Sequence, residues 1–104
     1  MPDLHLTLKR RWFDLIAHGH KKIEYRLYKP YWIQRLTNPD GSIRVFDKVH
    51  FKNGYAKKAP WMRVKFIKTE IAKNIQFPET EDTADCFLIH LGKVLEIKNW
   101  KNTL

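Results

Sequence analysis

Gly19-His20-Lys21-Lys22-Ile23-Glu24-Tyr25-Arg26 sets a glycine, several cations and one carboxylate in the spacing Gly-x-Lys-x-x-Glu-x-Arg. Just before it, Trp12, Leu15 and Ile16, with Phe13 and Ala17, recur at the i, i+3, i+4 interval of a short helix. Gly19 stands where that helix needs its C-terminal cap, because glycine takes positive φ without a Cβ clash. Beyond it, Ile23, Tyr25 and Leu27 alternate with Lys22, Glu24 and Arg26, the period of a strand. Charge is therefore concentrated where a helix gives way to a strand. The alternation predicts that Glu24 and Arg26 project together while Ile23 and Tyr25 pack. Lys21 has the parity of Ile23, so it joins the charged pair only by lying in the turn before the strand starts, which is the expectation, or through a bulge that re-aims it.

Working outward, Leu4, Leu6 and Leu8 alternate with His5 and Thr7, which predicts a half-buried first strand. Pro30 opens a second short helix through Trp32, Ile33 and Leu36, ended by the turn residues Asn38-Pro39-Asp40-Gly41. Val49 and Phe51 lead into a turn at Asn53-Gly54, and Met62, Val64 and Phe66 alternate with Arg63 and Lys65 as a basic-faced strand. A long loop is expected through Pro78 to Asp82, then an apolar strand from Cys86 to Leu91, a bend at Gly92 and a last strand from Val94 to Ile97. Several short strands and two early helices in 104 residues predict a single α+β domain over 1–104, a small mixed β-barrel with a modest core.

The same order of elements carries a resemblance. Leu6-Thr7-Leu8-Lys9, then Trp12-Phe13-Asp14-Leu15-Ile16, the Gly19–Arg26 motif and Phe51-Lys52-Asn53-Gly54-Tyr55 together resemble the ASCH domain. That family is a PUA-like β-barrel associated with RNA and modified nucleosides, and the resemblance spans most of the chain. It implies a barrel with two short helices packed against it. It also implies a cleft lined by Lys21, Glu24 and Arg26, with Lys9, Asn53 and Tyr55 nearby, that takes RNA or a modified nucleoside.

Two uses of the motif compete. As a binding site, Lys21 and Arg26 contact phosphate or a base edge, and Glu24 holds Arg26 by a bidentate pair. As a catalytic site, Lys21 with Glu24 attacks a nucleobase amide or RNA itself, which requires the lysine to lose its proton. Some ASCH members resemble amidohydrolases that remove the acetyl group from acetylcytidine. There the motif lysine, matching Lys21, works with a threonine where this chain has Glu24, and with a later glutamate. Glu70, Glu79 and Glu81 are the candidates for that glutamate. A third expectation is a protein-interaction module whose charged face meets an acidic partner.

Bulk composition favours an anionic partner. Twenty Lys and Arg against eleven Asp and Glu give a formal charge of +9, and residues 1–52 hold eleven of those cations against five acids. Glu79, Glu81, Asp82 and Asp85 form an acidic stretch expected in a solvated loop turned away from any polyanion site. Tyr28 and Tyr55 can stack a base, but packing with a wet hydroxyl is the expected use of any single tyrosine, and packing or capping that of Trp12, Trp32, Trp61 and Trp100. Trp61, beside Arg63 and Lys65, is the tryptophan best placed to face a nucleic acid.

One cysteine, Cys86, excludes an internal disulfide and a multi-cysteine zinc site, and its apolar neighbours predict an inert thiol. His18 and His20 lack a third well-spaced ligand, so no metal is expected. No phosphate-cradling glycine loop or dinucleotide fingerprint is present, and no cofactor is expected. Ser42 is the only serine and lies in a turn, which leaves a Ser-His-Asp hydrolase unsupported. No apolar run spans a bilayer and no signal sequence follows Met1, so the chain is expected in the cytoplasm, without a membrane partner.

Overall fold

A computed structural model describes residues 1–77 and 80–101. The elements run β1 (Leu4–Thr7), α1 (Arg10–Ala17), β2 (Ile23–Leu27), α2 (Pro30–Leu36), β3 (Lys48–Lys52), β4 (Trp61–Gln76) and β5 (Thr83–Lys98). The strands form one mixed sheet in the order β1-β3-β4-β5-β2, with β1 parallel to β3 and the other neighbours antiparallel.

The expected alternation holds in β1, β3 and the first half of β4. Leu4, Leu6, Val49, Phe51, Met62, Val64 and Phe66 are buried on one face, and Phe87, Ile89 and Leu91 join them from β5. Phe13 and Ile16 of α1 and Leu36 of α2 close this core. Asp14 fastens α1 further, accepting from Arg10 Nε at 2.7 Å and from Trp100 Nε1 at 2.9 Å. No helix among the described residues is long and apolar enough to cross a membrane.

Three expectations need correction. The sheet is not closed into a barrel: β1 pairs with β3 and β2 pairs with β5, which leaves β1 and β2 as its two edges. The last two expected strands are a single strand, β5, and β4 runs on to Gln76 to match it as a long hairpin. Gly92 lies within that ladder. A Cβ there would come within 3.2 Å of Lys65 Cβ, so the glycine allows the close approach of β4 where the register shifts. Finally, Asn53-Gly54 does not join β3 to β4 as a tight turn but opens the loop 53–60, closed by Asn53 N–H donating to the Pro60 carbonyl at 2.9 Å.

Candidate functional site

The unclosed seam between β1 and β2 is a cleft of about 580 Å³. Thr7, Leu8 and Lys9 line one side and Glu24 to Leu27 the other, with Trp12 of α1 and Trp32 of α2 beside them. Phe77 and Thr80, at the tip of the β4–β5 hairpin, also line it. Of the acidic stretch, Glu81, Asp82 and Asp85 are exposed and line no part of the cleft, while Glu79 lies outside the described residues.

The helix cap delivers Lys21 to this cleft. His18 ends α1, and Gly19 follows at φ +79, donating to the Ile16 carbonyl, while His20 and Lys21 both donate to the Leu15 carbonyl. These paired reverse bonds are the Schellman arrangement expected at a glycine-capped helix end. Lys21 therefore sits in the turn before β2, as expected. Its ammonium lies 5.1 Å from the Trp12 ring centroid, 5.0 Å from that of Tyr25 and 3.5 Å from Glu24 Oε1. Burial pulls the Lys21 pKa below its ordinary value and Arg26 adds to this, while Glu24 pulls in the opposite sense.

Glu24 is only 6% exposed, and its two oxygens divide between the two cations. Oε2 accepts from Arg26 Nη2 at 2.6 Å and from Nε at 3.2 Å, while Oε1 faces Lys21. The expected fork-to-fork pair is therefore not formed, since both guanidinium donors converge on one oxygen. Arg26 also donates from Nη2 to the Thr7 carbonyl at 3.2 Å, across the seam, and its guanidinium lies 4.8 Å from the Trp32 ring centroid.

The packing of β2 is the reverse of its alternation. Glu24 and Arg26 oppose Ile89 and Phe87, both fully buried in β5, so the charged pair is on the core side. Ile23 and Tyr25 are only partly buried. The open seam removes the apolar partner that this side of β2 would otherwise meet, and the three charged groups satisfy one another there.

Of the expected site residues, Lys9, Lys21, Glu24 and Arg26 line one cleft. Asn53 does not, since its side-chain amide donates to the Leu8 carbonyl at 2.9 Å and ties loop 53–60 to the end of β1. Tyr55 is 86% exposed on that loop, away from the cleft lining. Tyr28 packs its ring on Phe87, the use expected of a single tyrosine. Glu70 faces His90 and Lys68 on the hairpin and lines no part of the cleft. Cys86 is fully buried, and burial pushes its thiol pKa up.

Trp12 and Trp32 pack against the core as expected, but both also line the cleft, a place the sequence did not assign them. Each is the third residue of its helix, and each helix follows an edge strand. That repeated placement was the available signal. Among the described residues, no three His, Cys, Asp or Glu side chains are grouped to hold a metal ion. No family model matches the chain, and neither does any curated protein or solved structure.

Proposed function

We propose that the chain is an ASCH-type domain that binds RNA or a modified nucleoside in the seam between β1 and β2. The observation that carries this is the Lys21–Glu24–Arg26 line of charge inside a cleft walled by Trp12, Tyr25, Trp32 and Phe77. Aromatic rings offer stacking faces to any base, worth about 1–3 kcal/mol each where used. The two cations offer donors to carbonyl or phosphate oxygens, and Glu24 fixes where those donors point. A purely apolar ligand would leave this charge desolvated, whereas a flat, polar, acceptor-rich ring system uses both features.

The test is binding of short RNA and of nucleosides, acetylcytidine included, by calorimetry. Arg26→Ala should weaken binding about tenfold or more even at elevated salt, because a positioned guanidinium is lost as well as a charge. Arg26→Lys, which keeps the charge but not the planar fork, should fail similarly. Equal small losses for any Lys or Arg removed would instead mark a diffuse electrostatic binder and sink the proposal.

A second reading, hydrolysis of an acylated nucleoside, draws support from the burial of Lys21 and its lowered pKa. Both favour the neutral amine that a nucleophile or base requires. Thr80 is a hydroxyl-bearing residue in the cleft lining, although position 24 is not. Acetylcytidine turnover that disappears in Lys21→Ala, with the fold retained, would establish this chemistry. No turnover in either protein leaves binding alone.

A further inference from the structure

The outer face of the sheet bears a second concavity next to the cleft. Alternation that buries Leu6, Phe51 and Met62 turns His5, Thr7, His50, Lys52, Trp61 and Arg63 to the opposite side. Register then sets them in rows: Thr7 beside Lys52 beside Trp61, and His5 beside His50 beside Arg63. The His5 and His50 rings stack at 4.6 Å between centroids, and Asp3 Oδ2 lies 2.8 Å from His50 Nε2. Between the rows lies a groove of about 260 Å³ that His5, Thr7, His50, Lys52 and Trp61 help to line.

Two features of this groove point to a ligand. Its charge is unspent: Lys52 makes no ion pair among the described residues, nor does Lys65 on the same face, whereas Arg63 and Lys98 share Glu96. Its position is also telling, because Thr7 lines both the groove and the cleft, and Arg26 reaches the Thr7 carbonyl from the cleft side. The two compartments are thus separated by one edge strand. A linear polyanion with an aromatic unit at each charge fits both at once; a free nucleoside fills only one.

We propose that this groove holds the nucleotide adjacent to the one in the cleft, its base against Trp61 and its phosphate on Lys52. The ligand is then single-stranded RNA rather than a free nucleoside. The inference rests on the binding reading of the cleft and adds the direction in which the strand leaves it. Ring stacking with a flexible cation alongside is the sequence-tolerant way such strands are held.

The test uses two probes on the whole chain: each of the four nucleoside monophosphates by calorimetry, and a labelled random RNA of about six nucleotides by fluorescence anisotropy. Lys52→Glu, a change at a solvent-reached side chain, should weaken the oligonucleotide about tenfold or more and the monophosphates less than about twofold. Lys93→Glu, an exposed position on β5 that lines neither compartment, provides the matched charge reversal. Equal oligonucleotide losses for Lys52→Glu and Lys93→Glu would overturn the proposal. Arg26→Lys should weaken both probes. If neither probe responds to Arg26→Lys, the cleft reading falls and the continuous path falls with it, even where Lys52→Glu still matters. Failure of the unaltered protein to bind either probe overturns both.

Discussion

Glu24→Gln tests whether the buried charge line depends on its shared counter-charge or behaves as ordinary surface chemistry. The substitution keeps shape and one acceptor oxygen but leaves Lys21 and Arg26 without their shared counter-charge. Removing one partner of a buried ion pair costs about 3–5 kcal/mol, because the remaining charge stays desolvated. The Lys21 and Arg26 side chains keep 12% and 17% of their exposure, so solvent relieves part of that cost. A loss of about 2–3 kcal/mol is the resulting expectation. In a domain of this size it lowers the melting temperature on the order of 10–20 °C.

Lys21→Met gives the opposite result. It removes a cation that burial already disfavours and leaves Glu24 held by Arg26, so stability should stay within about 1 kcal/mol of the parent. The double variant should then be less destabilised than Glu24→Gln alone, by about 1–2 kcal/mol of coupling. Urea unfolding of the four proteins, read by near-ultraviolet circular dichroism and tryptophan fluorescence, completes the cycle. A Glu24→Gln protein within about 0.5 kcal/mol of the parent, with additive effects in the double variant, would refute the reasoning. The ligand-binding consequence runs the other way: Lys21→Met should fold well and bind poorly, a trade expected of functional burial.

Two further outcomes follow from α1. The Asp14 carboxyl is pushed up by burial, but the hydrogen bonds from Trp100 and Arg10 outweigh this and hold its pKa below the ordinary 3.8. A carboxyl depressed on folding stabilises above its unfolded pKa and loses that contribution as pH falls through the folded one. Melting temperature should therefore drop on acidification from about pH 5 to about pH 2, and Asp14→Asn should flatten that fall. Gly19→Ala should cost about 1–2 kcal/mol in thermal unfolding. A Cβ at Gly19 meets no atom within 4 Å, so the φ of +79 accounts for the whole penalty, and a neutral result would refute the cap's role.

Local signals were legible and non-local ones were not. The period change across Gly19 gave α1, the turn and β2, and Lys21 lies in the turn as expected rather than at a bulge. Alternation gave the buried faces of β1, β3 and early β4 because each residue there meets a packed layer. Whether β1 pairs with β2 depends on contacts between distant segments, and no periodicity encodes it. The barrel expectation failed at that point, and the same failure reversed the apparent inside and outside of β2. The hairpin beyond Ile67 was missed for a related reason. Its residues have little core to face, so the burial pattern loses its alternation and the sequence there resembles a loop. Asn53 and Tyr55 entered through the resemblance, and the loop 53–60 carries them off the cleft.

The open seam also explains why charge rather than packing defines the site. An unpaired strand edge exposes backbone donors and acceptors, and proteins blunt such edges with inward-pointing charges or a covering element. Both devices occur here on the same few residues. Glu24 and Arg26 point into the seam from β2, and Arg26 takes up the Thr7 carbonyl on the facing edge of β1. Trp12 and Trp32 then cover the ends of the gap from α1 and α2. Closing the barrel with direct β1–β2 bonds would satisfy the same backbone groups but would leave no room for a ligand. The guanidinium substitutes for that missing ladder at one point, the Thr7 carbonyl, and the cleft lies along the rest of the seam. Fold and site are therefore not separable at Arg26, and this is why the lysine substitution, which keeps the charge but not the planar fork, is the sharper probe there.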